Sequence, residues 1–239
     1  MQIKGKVVLI TGANRGLGQQ FAKSLLEGGA AKVYAAARDP QSVKLPGVEA
    51  IRLDVTNPAD VAAAAERYTD VQVLINNAGA TTRGKLIDPA STEGVRNLFE
   101  INVIGPLTLT QAFAPVLKRN GGGAVINILS VLSWAQLPGG GAYSASKSAA
   151  WAVTNVQRQE LREQGTLVVG VHPGFIDTDM TVAITAPKTT PEYVVRKVLE
   201  AVERGQEEVL VDDTGRTIKA SLSSAEPAYL KSAGEPAHA

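Results

Sequence analysis

The chain contains no cysteine. Disulfides, thiol nucleophiles and cysteine-ligated zinc are therefore excluded. Its two histidines, His172 and His238, are far apart and sit in no ligand-spaced cluster. No metal site built from the protein's own side chains is expected. An excess of charge of one sign is missing too: 24 Lys and Arg face 23 Asp and Glu, a net charge of +1. No basic run occurs, so there is no electrostatic basis for nucleic acid or an anionic membrane as partner. No apolar run is long enough to cross a bilayer. Residues Met1 to Lys6 lead straight into a strand pattern without the apolar segment of a signal peptide, and a cytoplasmic location is the expectation.

What is present is an alternation of short apolar runs and amphipathic stretches. Of the 239 residues, 44% are hydrophobic, enough for one large core. Strands are expected at Lys6 to Ile10, Lys32 to Ala36, Val48 to Leu53, Val71 to Ile75, Ala124 to Leu129, Leu167 to Val171 and Glu208 to Val211. Helices are expected at about Gly16 to Glu27, Pro58 to Tyr68, Thr92 to Lys118 with a bend near Gly105-Pro106, and Tyr143 to Gln164. Continuous apolar strands alternating with helices imply an α/β fold with a parallel sheet covered on both faces. From about Ser221 the composition turns polar, so residues 1–220 are read as one domain and 221–239 as a tail or docking segment.

After the first strand comes Thr11-Gly12-Ala13-Asn14-Arg15-Gly16-Leu17-Gly18. Glycines there let the backbone turn sharply toward a pyrophosphate, and the helix that follows presents free N–H groups and a positive dipole end. The spacing is G-x-x-x-G-x-G rather than the common dinucleotide G-x-G-x-x-G. At the end of the second strand, where an acidic residue would bind the adenosine ribose of NAD, the chain has Ala36-Ala37-Arg38. Asp39 is expected to point past the ribose. Arg15 and Arg38, with no competing carboxylate, suit the 2′-phosphate of NADP.

At Asn76-Asn77-Ala78-Gly79 the sequence resembles the short-chain dehydrogenase/reductase family, and the likeness continues from about Lys4 to Val211. Thr11-Gly12-x-x-x-Gly16-x-Gly18 is similar to that family's cofactor turn. Asp54, with Val55 after it, stands where the family has an Asp near the adenine. Asn102 stands at the family's active-site Asn, Ser130 follows strand five, and Tyr143-x-x-x-Lys147 opens the next helix. Pro173-Gly174, with Ile176 and Thr178, resembles the segment flanking the nicotinamide. The resemblance implies a Rossmann-like, doubly wound, seven-stranded parallel sheet in a single domain. It also implies a cofactor, NADP(H), held by Gly12, Asn14, Arg15, Gly16, Leu17 and Gly18, by Arg38, Asp54 and Val55, by Asn77, Ala78 and Gly79, by Tyr143 and Lys147, and by the Pro173 segment. Leu129 departs from the family, which often has Ser there. So does the ending after Val209, where relatives carry a Gly-rich stretch.

Ser130 and Ser133 both lie in the loop before Tyr143; Ser130 directly ends the strand and is taken as the active-site hydroxyl. Hydride transfer to a ketone builds negative charge on oxygen, which needs a proton and a hydrogen bond to hold it. Tyr143 can supply the proton, and Lys147, four residues on and on the same helix face, would lower its pKa from about 10. The resemblance adds that Lys147 holds the nicotinamide ribose. Ser130 would donate to the substrate oxygen, and Asn102 would anchor a water in a proton relay from Lys147. Read singly, Asn77 could stabilise the turn, His172 is structural, and Trp134 and Trp151 are packing residues. Trp134, between Ser130 and Tyr143, could also line the substrate pocket.

The pocket is expected to be completed by Phe175 and by a lid from Asp177 to Pro191 carrying Met180, Val182 and Ile184. The reading is an NADP(H)-dependent oxidoreductase acting on a small or medium, mostly apolar carbonyl or alcohol. The alternatives are a reductase of C=N or carrier-bound ketone substrates, and a non-catalytic NADP-binding sensor. A sugar-nucleotide epimerase would need a larger C-terminal domain. The family resemblance implies a homodimer or homotetramer through the helices carrying Asn102 and Tyr143.

Overall fold

The computed structural model describes residues 1–230. Seven parallel strands form one sheet in the order β3-β2-β1-β4-β5-β6-β7. They are β1 (Val7–Thr11), β2 (Lys32–Ala37), β3 (Glu49–Arg52), β4 (Val73–Asn76), β5 (Ala124–Ile128), β6 (Leu167–His172) and β7 (Glu208–Leu210). The helices are α1 (Gly16–Glu27), α2 (Pro58–Arg67), α3 (Ser91–Phe99), α4 (Gly105–Arg119), α5 (Gly141–Glu160), α6 (Pro191–Glu203) and α7 (Asp213–Ser221). The fold class read from the sequence is the one observed.

Strand alternation divides the core in two. Val8 and Ile10 of β1 join Phe21 and Leu25 of α1 and Val194 and Val198 of α6 on one face. Leu9, between them, joins Leu109, Phe113 and Leu117 of α4 on the other. Phe21 and Phe113 are fully buried, and truncating either to Ala would cost about 3–5 kcal/mol. The chain reverses direction across the sheet between β1 and β4, which opens a crevice at the carboxyl ends of those strands.

Several boundaries differ from the sequence reading. The expected single helix from Thr92 to Lys118 is α3 and α4 joined by a widened π turn, Glu100–Ile104, just ahead of Gly105-Pro106. Two helices were not anticipated. Thr190 caps α6 by accepting from Tyr193 N, with Pro191 at its first position, where the missing N–H costs nothing. Asp212 caps α7 by accepting from Gly215 N at 2.9 Å. The start of the expected tail folds back: Ser221 Oγ accepts from Ala228 N at 3.1 Å, Pro227 is buried, and a 3-10 turn covers Ala228–Leu230. The rest of that tail lies outside the described residues. No helix among the described residues is long and apolar enough to cross a membrane.

Candidate active site

The glycine turn is built by hydrogen bonds between β1 and β4. Thr11, buried at the end of β1, accepts at Oγ1 from Asn77 N and Ala78 N, both at 3.0 Å. The Asn77 side chain donates from Nδ2 to Thr11 O at 2.8 Å and Gly12 O at 3.2 Å. Its amide nitrogen is thus spent on shaping the turn. Gly18 presses into the same place: a Cβ there would lie 2.2 Å from Gly12 O and 2.5 Å from Asn77 Nδ2. Arg15, the residue capping α1, makes no side-chain cap, and the first turn of α1 carries no acid. The helix N-terminus is left for an external anion, which fits the pyrophosphate of a dinucleotide.

Beside the turn, Arg38 and Asp54 come together. Burial opposes ionisation of Asp54, but hydrogen bonds from Thr56 and the charges of Arg38 and Arg52 hold its carboxyl below the usual range. Asp39 accepts from Gln41 N at 2.9 Å and caps its own 3-10 turn. Arg15 reaches the other way, to Asp179 at 3.4 Å, with both side chains largely exposed. Val55 packs against Gly105 at the start of α4.

Tyr143 and Lys147 lie on the first turns of α5. Lys147 is buried, and its Nζ donates to Ile128 O at 2.7 Å and stands 5.7 Å from the centre of the Tyr143 ring. Burial pulls the Lys147 pKa down to about 8. Burial also pushes Tyr143 up to about 12, against a hydrogen bond with Ser130 that lowers it. The sequence reading had Lys147 pulling the phenol down; in the structure desolvation outweighs any such effect. Ser130 is buried and accepts at Oγ from Leu132 N at 3.1 Å, so its own proton is left to give. Ser133, the alternative hydroxyl, is buried with no partner for Oγ among the described residues.

Asn102, on the π turn, is 2% exposed. Its Oδ1 accepts from Ala80 N at 2.9 Å, and its Nδ2 donates to Ala80 O and Ser146 Oγ, both at 3.0 Å. The side chain braces the loop after β4 against α5. A cavity of about 20 Å³ touches Asn102, Lys147, Asn76 and Asn127. Asn76 Oδ1, buried there, has no partner among the described residues. A cavity that size, with polar walls, has room for about one water.

The segment of residues 173–178 is tied to the elements beside it. Val131 N donates to Pro173 O at 3.0 Å, and Gly174 N donates to Asp212 Oδ2 at 2.8 Å. A Cβ on Gly174 would sit 2.8 Å from that carboxylate oxygen, so glycine admits the clamp. Thr178 caps the 3-10 turn Asp179–Thr181, and Thr181 Oγ1 donates to Ile176 O. Met180 and Val182 are exposed on this segment, Phe175 is half-buried, and Phe175 O accepts from Thr189 N at 2.8 Å.

Trp134, read from the sequence as a packing residue or a pocket wall, is packed against other rings. It is 5% exposed, stacks on His172 with ring centres 3.9 Å apart, and meets Trp151 edge-on at 6.0 Å. The packing reading describes it; Leu137 is the exposed large apolar residue of that loop. Ser146 and Asp212 were not anticipated. A lone Ser or Asp carries no sequence signal of its own, although Asp212 stands two residues past β7 at a helix start.

Residues 6–189 match the model of the short chain dehydrogenases. The chain belongs to the short-chain dehydrogenase/reductase family, and it is an oxidoreductase of that family. A solved short-chain dehydrogenase from Burkholderia cenocepacia, in complex with NADP, is 40% identical, with a TM-score of 0.90 over 94% of this chain and 95% of that one. The NADPH-bound carbonyl reductase from chicken fatty liver is 31% identical, with a TM-score of 0.76 over 83% of this chain and 91% of that one. The ketoacyl reductase HetN of Nostoc is 32% identical over 88% of this chain and 79% of its own length.

Proposed function

We propose that this short-chain dehydrogenase/reductase is an NADPH-dependent reductase of small or medium, mostly apolar ketones and aldehydes. The observation that carries the reading is the convergence of Ser130, Tyr143 and Lys147 at the carboxyl end of β5, beside the glycine turn. NADPH, when bound, supplies the hydride. Ser130 Oγ–H donates to the carbonyl oxygen and holds it as charge develops. Tyr143 Oη then delivers the proton, and the alcohol leaves. Nζ of Lys147 has three protons, and Ile128 O takes one of them. The others serve the nicotinamide ribose and a water in the small cavity, through which the phenolate is reprotonated. Asn102 shapes that cavity through Ala80 and Ser146. Arg15 and Arg38 receive the 2′-phosphate; Asp39 is turned to Gln41 N, while Arg15 has to leave Asp179 to do so.

A carrier-bound ketoacyl substrate is the second reading, favoured by the likeness to the ketoacyl reductase HetN.

The test is NADPH oxidation by the purified protein against ketones, aldehydes, diketones and an acetoacetyl thioester, with NADH in parallel and Tyr143→Phe as control. Turnover with NADPH that disappears in the Phe variant supports the reading. A preference for NADH would overturn the roles of Arg15 and Arg38, and turnover confined to the thioester would favour the second reading.

A further inference from the structure

His172 ends β6 and is 1% exposed. Burial pushes its pKa down to about 3, so the ring is neutral and carries one proton. Nδ1 lies 3.2 Å from the carbonyl oxygen of Ser130. A carbonyl oxygen only accepts, so that contact is a hydrogen bond only if the proton is on Nδ1. The other tautomer would set two lone pairs against each other. Nε2 faces Glu208 Oε1 at 3.9 Å, beyond hydrogen-bond reach, and Glu208 is paired with Lys219. The ring lies nearly flat on Trp134, with 17° between the planes, so the stack holds the imidazole in its plane.

The neighbouring peptide is fastened to the same strand end. Val131 N donates to Pro173 O at 3.0 Å. Ser130 is thus held on its C-terminal side by two consecutive residues, His172 at the end of β6 through its ring and Pro173 just beyond it through backbone. These bonds fix the extended backbone of Ser130, at φ −165° and ψ 158°, and from that backbone the bond from Leu132 N orients Oγ.

We propose that His172 is a positioning residue for Ser130: its Nδ1–H holds the Ser130 carbonyl so that Oγ points at the substrate oxygen. Trp134 serves as the platform that keeps the imidazole in place. The inference rests on the reading of Ser130 as donor to the substrate.

Two substitutions separate positioning from packing. His172→Phe keeps the stack on Trp134 and removes the donor. His172→Asn keeps a donor near the place of Nδ1 and removes the stack. Steady-state kinetics with NADPH and diacetyl, run beside thermal unfolding, should show kcat down about tenfold in His172→Phe with KM for NADPH unchanged, since small displacements of a reacting group are costly. In His172→Asn, kcat should stay near wild type while the unfolding temperature falls. Activity that tracks stability instead, with the Asn variant the worse of the two, would overturn the proposal. Ser130→Ala separates the two failures: if it retains full kcat, the reading of Ser130 itself falls. A second measurement needs no substrate. The chain has two histidines, so imidazole nitrogen NMR of the full-length protein is assigned with His238→Ala alone. A proton on Nδ1 of His172 is expected, and a proton on Nε2 would overturn the proposal.

Discussion

Asn102 donates from Nδ2 to Ser146 Oγ at 3.0 Å, and Ser146 in turn donates to the carbonyl of Tyr143 at 2.7 Å. The π turn and the first turns of α5 are therefore one hydrogen-bonded unit, with Lys147 the very next residue. Ser146→Ala leaves a buried amide proton of Asn102 unpaired. It should cost about 1–2 kcal/mol and lower the unfolding temperature by roughly 2–8 °C. Calorimetry of the two proteins checks this; an unchanged transition would mean that the pair contributes nothing.

Gly18 is the narrowest point of the glycine turn. A methyl group 2.2 Å from Gly12 O forces α1 and the turn apart. Gly18→Ala should weaken NADPH binding by roughly ten- to a hundredfold, the equivalent of the 1–3 kcal/mol that overpacking costs. Titration of NADPH fluorescence measures it directly. Equal affinity in the Ala variant would mean that the turn can open at little cost.

The strands, α1 and the Tyr143–Lys147 pair were legible because each carries a local signal: apolar runs, a glycine spacing, a four-residue helical interval. The bend in the long helix was also signalled, by Gly105-Pro106, but its cause lies one turn earlier. Asn102 sits where the backbone widens, and no residue type announces a π turn. Helix α6 had a readable start in Thr190-Pro191, masked by reading that stretch as the end of a lid. Ser146, His172 and Asp212 act through partners 44, 42 and 38 residues away, so only the folded chain brings their roles together. Trp134 lay in the right loop, but its orientation follows from His172 on another strand.

His172 should also make the protein acid-sensitive. Its pKa is about 6.5 unfolded and about 3 folded. As pH falls below 6.5 the unfolded chain takes up a proton that the folded one refuses, so stability is lost at up to about 1.4 kcal/mol per pH unit. Above 6.5 the group has no effect. Unfolding measured from pH 7 to 4 should show a shallower acid decline in His172→Phe than in the wild type; parallel curves would contradict the burial of a neutral ring.

Lys147 follows the same linkage. Its folded pKa of about 8 lies below the ordinary 10.5, so between those values the unfolded chain holds a proton that the folded one lacks. Stability from this group is complete only at high pH and is lost as pH falls toward 8. Below that it costs about 3 kcal/mol. Lys147→Met removes that cost and the bond to Ile128 O, whose loss takes back about 1–2 kcal/mol. The variant should be inactive yet unfold a few degrees higher at pH 7, as expected for a group kept for chemistry rather than stability. An inactive variant that is also less stable would show that the ammonium is better solvated than its burial implies.

Arg15 poses a question of cofactor choice. Its guanidinium lies 3.4 Å from Asp179. A 2′-phosphate must draw it away from that carboxylate, whereas NADH makes no such demand. The pair is exposed and weak, so the effect is small but directional. Asp179→Asn should lower KM for NADPH by at most about fivefold, leave KM for NADH unchanged, and lose its advantage in high salt. Steady-state kinetics with both cofactors at two ionic strengths decide it. A parallel gain for NADH would move the effect from the 2′-phosphate to the lid, and an unchanged KM for NADPH would mean that Arg15 is not the residue that receives it.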